Sequence, residues 1–333
     1  MKGIESRNFI IAHGDGDGVT SAALALAVLK EAYVYFSHPA GLYDDLRNVI
    51  EMSKGKLEKL IICDIALSEL HLGEIVKLLE SLSKSCEITY IDHHPPPLQL
   101  DLKELPGIVV HGEEECTAEL TFKHFEDQLD WDMSRVALYG AICDYATETE
   151  FFKETLQEWN QRMIFFESGV LAQGLEGSRG QYEFKRHVAK HLSENRLPSS
   201  LSELLVKALI ATVNEEEMRK QLPQMVKTLG NIAYVIDPPG SVARAANYVR
   251  VIAKKPVGLA AEKKGNVMVM SVRTGLKQLD LNTILRNVAL KFNGTGGGHR
   301  MAAGARVPLS LFDAFLKELN KEISKFVLEL SPL

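Results

Sequence analysis

The sequence predicts an α/β protein in which a doubly wound parallel sheet is followed by a helical connector and a smaller C-terminal α/β domain. Three observations support this: a length of 333 residues, a hydrophobic content of 46%, and short β-rich runs that alternate with helical stretches up to about residue 150. A chain of this length exceeds the comfortable size of one hydrophobic core. We therefore expect a first domain over residues 1–154, a connector over residues 155–229 and a second domain over residues 230–333.

Apolar runs and helical stretches alternate through the first domain. Runs rich in β-branched and aromatic residues predict strands at Phe9–Ala12, Tyr33–Phe36, Leu60–Cys63 and Ile88–Ile91. Helices are predicted at Val19–Glu31 and at about Leu70–Leu82. Strands that alternate with helices form βαβ units, and these build a parallel sheet. Ligands of such sheets bind beyond the carboxyl ends of the strands.

The connector and the second domain have different patterns. The connector is rich in charge, and its apolar residues recur at helical spacing at Leu201, Leu204, Leu205, Ala208 and Leu209. This periodicity predicts ordered helices rather than a disordered linker. The elements predicted beyond it are a strand at Ile232–Ile236, a helix at Ser241–Ala253, hairpin strands at Val257–Ala261 and Val267–Val272, a glycine-rich segment at Asn293–Gly304 and a helix at about Ser310–Leu328.

Composition excludes several classes of protein. The formal net charge of -6 provides no overall field for a polyanion, so a phosphate site must be locally basic or contain metal. No apolar run approaches the roughly 18 residues that a membrane span needs, and the N-terminus lacks a signal-peptide pattern. We therefore expect a cytoplasmic protein without a membrane partner. The four cysteines form no C-x-x-C pair, which argues against a disulfide framework or a thiolate zinc site.

The first loop reads His13-Gly14-Asp15-Gly16-Asp17-Gly18, between a predicted strand and a predicted helix. Alternate glycines allow the imidazole and the two carboxylates to converge on one point, which favours a metal site. The alternative is a glycine-rich turn with an aspartate at the helix N-cap. Capping explains only one of the two carboxylates.

Further acidic and histidine side chains follow the other predicted strands. Asp64 follows one strand, Asp92, His93 and His94 follow the next, and Asp144 lies near the end of a later helical stretch. Each alone is a common helix cap or surface turn, but together at one sheet edge their charges would need a cation. Imidazole and carboxylate ligands without thiolate favour Mn²⁺, or Mg²⁺, over structural zinc. Six such residues are enough for two ions, an arrangement used to hydrolyse phosphate esters.

The second domain contains a run of glycines at Gly296, Gly297 and Gly298, followed by His299. Consecutive glycines expose backbone N–H groups that suit a phosphate oxygen. Arg273, at the end of a predicted strand, is a candidate for a second phosphate contact. A plain loop and a solvated arginine are the alternatives.

Taken together, these motifs resemble the four ordered motifs of the DHH phosphoesterases, and the glycine-histidine segment resembles the signature of the DHH-associated C-terminal domain. The matching residues are His13, Asp15, Asp17, Gly18, Asp64, Asp92, His93, His94 and Asp144, and Gly296–His299 followed by Met301–Ala305. The resemblance implies two lobes that face each other across a cleft, with two Mn²⁺ ions on the first lobe and a grip for a substrate phosphate on the second.

The resemblance also implies a role for each motif residue. One ion would be held by His13, Asp15 and Asp64, and the other by Asp17, Asp64, His93 and Asp144. Asp64 would bridge the ions, Asp92 would orient the histidines, and His94 would face the scissile phosphate or the leaving group. Arg273 and His299 would hold a substrate phosphate. The implied chemistry is in-line hydrolysis of a phosphate ester.

Within this family we expect an exonuclease that converts short single-stranded oligonucleotides or dinucleotides to nucleoside monophosphates. The chain ends 34 residues after His299, which leaves no room for an appended oligonucleotide-binding barrel. One alternative is a RecJ-like exonuclease on longer DNA or RNA, with contacts from Lys185, Arg186, Lys190 and Arg196. Another is a non-catalytic replication scaffold. The sequence leaves open whether the chain forms a homo-oligomer and whether it binds replication or repair partner proteins.

Overall fold

A five-stranded parallel sheet organises the first of two units in the computed structural model, which describes residues 6–330. The first unit spans residues 1–211 and the second spans residues 212–333. The elements that begin in the first unit are β1 (Asn8–His13), α1 (Gly16–Leu29), β2 (Tyr33–Ser37), α2 (Leu42–Met52), β3 (Lys59–Cys63), α3 (Leu72–Leu82), β4 (Glu87–Asp92), β5 (Ile108–His111), α4 (Thr117–His124), α5 (Ser134–Cys143), α6 (Glu150–Gln157), α7 (Gln161–Glu176), α8 (Tyr182–Ser193) and α9 (Ser202–Met225).

The strand order of this sheet is β2-β1-β3-β4-β5, and every neighbouring pair is parallel. From β1 the chain moves first to β2 on one side and then to β3 on the other. The order therefore reverses between β1 and β3, where Ala12 pairs with Cys63. A crevice opens at the carboxyl ends of strands at such a reversal, and ligands of parallel sheets bind there.

Strand β1 is buried on both faces. Ile10 and Ala12 pack into the core that contains α1, whereas Phe9 and Ile11 pack into the core that contains α2 and α3. Because alternate residues of a strand point to opposite faces, two covered faces require a continuous apolar run. The doubly wound parallel sheet predicted from the sequence is confirmed.

The predicted connector supplies helices to both units. Helices α6, α7 and α8 lie in the first unit, and α9 crosses the boundary between the units. Among the apolar residues of the predicted periodicity, Leu204 and Ala208 are buried against the core of the first unit, but Leu209 is 61% exposed. The helical character was therefore predictable, but the face that α9 buries was not.

A six-stranded mixed sheet forms the second unit, with the order β10-β11-β9-β8-β7-β6. Its elements are β6 (Lys227–Leu229), β7 (Ile232–Ile236), α10 (Val242–Ile252), β8 (Val257–Lys264), β9 (Val267–Thr274), α11 (Leu281–Leu290), β10 (Thr295–Gly298), β11 (Ala302–Pro308) and α12 (Phe312–Leu330). Strands β7 and β8 are parallel, and the other neighbours are antiparallel. The predicted hairpin is β8 and β9, and the glycine-rich segment forms the edge strand β10.

Sequence patterns missed three elements of the first unit. Helix α2 buries Leu42, Leu46 and Val49, whose spacing of four and three residues is a helical pattern present in the sequence. Strand β5 has four residues and none is fully buried, so its pattern is weak. Helix α4 is short and mostly buried, and so lacks a polar face. Over residues 6–330, no helix combines the length and the apolar character that a membrane crossing requires.

We expect Gly140 to be essential for the packing of α5 against α1 and α4. A Cβ atom at Gly140 would lie 2.4 Å from Ala118 Cβ and 2.5 Å from Thr20 Oγ1. Gly140→Ala should therefore destabilise the first unit by roughly 1–3 kcal/mol through overpacking. Gly169→Ala is the matched control, because nothing lies within 4 Å of its added Cβ.

In α7, Gly169→Ala should instead stabilise the unit by about 0.5–1 kcal/mol, since alanine favours the helix. Thermal melting followed by circular dichroism measures both variants. Equal melting temperatures for the two variants would contradict the close approach at Gly140.

Candidate metal centre

The residues predicted as metal ligands in the first unit lie at the carboxyl ends of its strands. His13 ends β1, Asp64 follows β3, and Asp92 ends β4 with His93 directly after it. All of these strands are parallel, so their ends meet at one edge of the sheet. Three groups of donor atoms there contain Asp64, and two of them consist of predicted metal ligands alone.

The first donor group is His13, Asp15 and Asp64, whose donor atoms all lie within 4.8 Å of one another. His13 Nδ1 lies 2.8 Å from Asp15 Oδ2 and 3.8 Å from Asp64 Oδ2. The other oxygen of Asp15 accepts the Gly18 N–H at 3.0 Å and caps helix α1. Helix capping therefore explains one oxygen of Asp15, and the second oxygen faces the histidine.

The second donor group is Asp17, Asp64 and His93, again within 4.8 Å. His93 Nε2 lies 3.4 Å from Asp64 Oδ1 and 3.8 Å from Asp17 Oδ2. His93 Nδ1 donates a hydrogen bond to the carbonyl oxygen of Glu115 at 2.9 Å. A proton fixed on Nδ1 leaves the lone pair on Nε2, which is the orientation of a metal-binding histidine.

Helix α4 positions the carboxylate of Asp17 through its first backbone amides. Thr117 N–H donates to Asp17 Oδ2 at 2.7 Å, and Ala118 N–H donates to Oδ1 at 2.8 Å. The helix dipole also favours a negative charge at this end. Because each carboxylate oxygen has two lone pairs, Asp17 can hold these amides and still act as a ligand.

Asp64 has the least balanced charge in the cluster. Asp64 is 3% exposed, and its backbone has a φ of 58°, in the left-handed region. Asp64 Oδ1 accepts from the Thr117 hydroxyl at 3.4 Å, but Oδ2 is buried with no hydrogen-bond partner in the part of the chain that the structure describes. A buried carboxylate oxygen without a partner is costly unless a cation binds it. The donor set of carboxylates and imidazoles therefore fits divalent ions such as Mn²⁺ or Mg²⁺.

Electrostatics lead to the same conclusion. Burial, with the charges of Asp15 and Asp17 next, raises the pKa of Asp64 well above its ordinary value. Burial likewise raises the pKa of Asp144 to about 7. Burial alone would lower the pKa of His93, but the hydrogen bond and charge of Asp64, with the charge of Asp17, raise it to about 11. The cluster thus contains excess negative charge that protons or a cation must balance.

His94 is oriented by Asp92 rather than by either of these two groups. Its Nδ1 donates to Asp92 Oδ1 at 2.8 Å, and Tyr90 donates its hydroxyl to Asp92 Oδ2 at 2.8 Å. Burial alone would raise the pKa of Asp92, but the charge of His94 and its hydrogen bond lower it. The structure therefore contains a buried tyrosine-carboxylate-histidine chain beside Asp64.

Asp144 is the one predicted ligand outside both donor groups, within the residues that the structure describes. It follows α5 as its C-cap, and its Oδ2 lies 3.7 Å from His93 Nδ1. That nitrogen is the one that donates to Glu115. Asp144 therefore approaches the second donor group from the far side of the His93 ring.

The predicted phosphate contacts lie together at one end of the second unit. Arg273 in β9 pairs with Ala302 in β11, and the Thr274 N–H donates to the carbonyl of Met301 at 3.0 Å. His299 begins the turn that joins β10 to β11. Gly298 N–H donates to Asn282 Oδ1 at 3.1 Å, with a φ of 140° that favours glycine. Arg273 and the glycine-histidine turn are therefore neighbours.

Sequence reasoning missed residues that position the ligands. His111 at the end of β5 contacts the His94 carbonyl oxygen through Nε2 at 2.8 Å. Lys185 is buried, and its ammonium donates to the carbonyl of Gly14, between His13 and Asp15. A buried lysine on a helix signals such a partner in general, but the sequence does not identify it.

The other basic residues of α8 and its end have acidic partners nearby in the chain. Arg186 pairs with Glu183, and Lys190 and Arg196 pair with Glu194. Arg186 also lies over the ring of Tyr33 at 5.0 Å. These contacts are typical of a solvated helix face rather than a continuous basic track.

Comparison with known protein families gives two matches. The DHH family N-terminal domain matches residues 7–147, and the DHHA1 domain matches residues 230–325. Together these cover more than two thirds of the chain. Among curated proteins, none is similar enough in sequence to match.

Several solved structures share the fold. RecJ from Thermus thermophilus in complex with Mn²⁺ has a TM-score of 0.69 and 18% identity, over 96% of this chain and 52% of that protein. The DHH domain of a protein described as a member of a ribosomal protein family has a TM-score of 0.70 and 16% identity, over 95% of this chain and 86% of that one. A pGpG-specific phosphodiesterase from Vibrio cholerae has a TM-score of 0.56 and 15% identity, over 96% and 99%. The chain thus spans about half the length of that RecJ, and identities this low establish the fold alone.

We expect the hydroxyl of Tyr90 to stabilise the charge of Asp92. Tyr90→Phe removes the buried hydroxyl that lies 2.8 Å from Asp92 Oδ2 and 2.9 Å from the carbonyl oxygen of Ile65, so it should destabilise the first unit by about 1–3 kcal/mol. Tyr139→Phe is the matched control, because the Tyr139 hydroxyl is buried without a hydrogen-bond partner among residues 6–330. That variant should be neutral or slightly more stable. Denaturant unfolding compares the two, and a Tyr90→Phe protein as stable as Tyr139→Phe would show that the hydrogen bond to Asp92 contributes nothing.

Proposed function

We propose, from the premise that the chain belongs to the DHH family and continues into a DHHA1 domain, that it is a metal-dependent phosphodiesterase. Its substrates would be short single-stranded oligonucleotides or dinucleotides, and its products nucleoside monophosphates. The observation that carries this proposal is the pair of donor groups that share Asp64, whose Oδ2 is buried without a hydrogen-bond partner in the described chain.

Two divalent ions would be held by this chain, and Mn²⁺ is the ion we propose, with Mg²⁺ as the alternative. His13 and Asp15 would hold one ion, and Asp17 and His93 would hold the other. Asp64 would be a ligand of both ions. The family resemblance also assigns Asp144 to the second site, and its carboxylate lies 3.7 Å from His93 Nδ1, the ring nitrogen that does not face Asp64. Two ions so placed supply electrostatic stabilisation for the attacking and leaving oxygens of a phosphate ester.

His94 would act on the phosphate ester itself, with Asp92 behind it. His94 is only partly buried, whereas Asp92 is fully buried and accepts its Nδ1–H. The hydrogen bond to Asp92 fixes the orientation of the His94 ring and leaves its Nε2 free of that contact. We therefore assign His94 the transfer of a proton to the leaving oxygen, and Asp92 the orientation of the ring.

The second unit would hold a substrate phosphate. Arg273, with a bidentate guanidinium, and His299 are charged or polar groups at one end of its sheet, beside Gly296, Gly297 and Gly298. Strand β10 is an edge strand, so half of its backbone groups have no neighbouring strand to pair with. These features support a phosphate grip in this unit.

The structure favours short substrates over long ones. A long single strand is held by a basic groove with stacking aromatic residues. Three of the four basic residues predicted for that role pair with acidic partners, and Lys185 is buried against the Gly14 loop. The pGpG-specific phosphodiesterase, which has this fold, also matches this chain over nearly its whole length. The non-catalytic scaffold is disfavoured because the ligand residues are present and largely gathered.

We expect Asp64→Ala and His299→Ala to fail in different ways. Asp64→Ala removes the residue common to both donor groups, so it should abolish Mn²⁺ binding and lower kcat at least a hundredfold, or about 3 kcal/mol. His299→Ala should raise KM and leave bound Mn²⁺ unchanged, because His299 is in none of the donor groups that share Asp64. Metal analysis and steady-state kinetics on a dinucleotide separate the two. Full activity of Asp64→Ala, or of chelated protein, would overturn the two-metal proposal.

Substrate length gives a second test. We expect kcat/KM to level off or decline beyond short oligomers, and to fall only weakly with salt, because few phosphates are contacted. Rates are measured from the dinucleotide to a strand several times longer at two salt concentrations. Efficiency that keeps rising with length and drops steeply with salt would favour the exonuclease of longer strands.

A further inference from the structure

The end of helix α5 places a tyrosine where the backbone favours glycine. Ala146 N–H donates to the carbonyl of Ala141 at 2.9 Å, and Tyr145 N–H donates to the carbonyl of Ile142 at 3.3 Å. This pair of bonds is the Schellman motif, which requires a left-handed residue at the position of Tyr145. Its φ is 61°. Glycine adopts that conformation without steric cost, and a bulky side chain does not.

Tyr145 differs from the other residues in this conformation. The other non-glycine residues with positive φ over residues 6–330 are Lys30, Lys54, Asp64, Asn195, Asp237, Lys254 and Asn293. All of them are polar, and asparagine and aspartate tolerate the left-handed region comparatively well. Tyr145 is therefore the one aromatic residue held there in the described chain. Strained residues of this kind concentrate at functional sites.

The folded chain gains no packing from the Tyr145 ring. The residue is 88% exposed, and the structure gives its side chain no hydrogen bond or ring contact with any described residue. An aromatic side chain contributes to stability by burying its large apolar surface. Neither local conformation nor packing therefore explains a tyrosine at this position.

Tyr145 directly follows Asp144, which approaches the candidate metal centre at His93. The preceding residue, Asp144, has its Oδ2 3.7 Å from His93 Nδ1. Consecutive Cα atoms are about 3.8 Å apart, so the Cα atom of Tyr145 lies at this distance from that of Asp144. An exposed aromatic ring at the rim of a phosphate ester site can stack on a base, since every nucleobase has a π face.

We propose that Tyr145 stacks on a nucleobase of the substrate and so selects nucleotides over phosphate esters that lack a base. This inference rests on the proposed function and deepens it, because it assigns the recognition of the base to a residue outside the motifs. The ring would hold one nucleoside while its phosphate lies at the metal centre. Tyr145 is then a residue of substrate binding and not of the proton transfer.

The test compares Tyr145→Ala and Tyr145→Phe on three dinucleotides: the intact one and two in which the 5′ or the 3′ base is replaced by hydrogen. Tyr145→Ala should raise KM for the intact dinucleotide roughly tenfold, with kcat nearly unchanged, and Tyr145→Phe should retain the wild-type KM because the ring is kept. Phe166→Ala, an equally large change at a 57% exposed aromatic residue of α7, is the control and should match wild type.

For one of the two abasic dinucleotides, the wild type and Tyr145→Ala should have equal KM values. Equal KM for wild type and Tyr145→Ala on the intact substrate would overturn the inference. So would a loss that persists on both abasic substrates, because it would not depend on a base.

Two further measurements keep this inference separate from the proposed function. Tyr145→Gly relieves the left-handed strain, so its melting temperature should equal or exceed that of the wild type while its KM rises. A lower melting temperature would mean that the ring is structural. Calorimetric binding of adenosine monophosphate and of ribose 5-phosphate, with Mn²⁺ present, needs no turnover.

Binding of the nucleotide should exceed binding of the sugar phosphate in the wild type but not in Tyr145→Ala. If the protein gives this binding result but hydrolyses no dinucleotide, the proposed function is wrong and the inference about Tyr145 stands. If the wild type hydrolyses dinucleotides but Tyr145→Ala has no effect in either assay, the inference about Tyr145 is wrong and the proposed function stands.

Discussion

Asp64 is buried at the end of β3 with the carboxylates of Asp15 and Asp17 beside it, and the rest of the first unit must balance that charge. Water cannot do so, because the residue is 3% exposed. The imidazoles of His13 and His93 approach its two oxygens from opposite donor groups. A bound cation is the largest charge in such a site. It reverses the direction in which the surrounding charges shift the pKa values of the groups there. The order of the strands matters here, since it brings the ends of β1 and β3 together.

Backbone groups hold the candidate ligands in place. The first amides of α4 donate to Asp17, and the carbonyl of Glu115 fixes the tautomer of His93. Partners of this kind usually matter for metal affinity nearly as much as the ligands themselves. The close approach of α5 to α1 and α4 at Gly140 keeps the same helices together. Packing and electrostatics therefore depend on each other in this unit.

The left-handed residues Asp64 and Tyr145 both lie at this edge. In each case the backbone is held in a less favourable conformation by its hydrogen bonds, such as that from Asp64 N–H to the carbonyl of Ile91 at 3.0 Å. Strain of this kind persists only where the surrounding structure determines it. At Asp64 the left-handed conformation directs the carboxylate into the cluster of acidic and histidine side chains. At Tyr145 it leaves the ring exposed to solvent. In our proposals, the same backbone conformation places one residue for metal and the other for substrate.

The sequence by itself determined the parallel sheet and identified most residues of the candidate metal centre, because both follow from local patterns. Strands buried on two faces read as apolar runs, and ligands such as Asp64 and His93 directly follow those runs. Only the tertiary structure decided that Glu115, Tyr90 and Lys185 support the site. Glu115 acts through its carbonyl, which every residue has, and Lys185 acts on a loop 171 residues earlier in the chain. Tyr90 is only two residues from Asp92, but the contact of its hydroxyl with that carboxylate depends on how the folded chain places the two side chains. The position of Asp144 outside the donor groups was likewise set by packing, since the helix that carries it is placed by its neighbours and not by its own sequence.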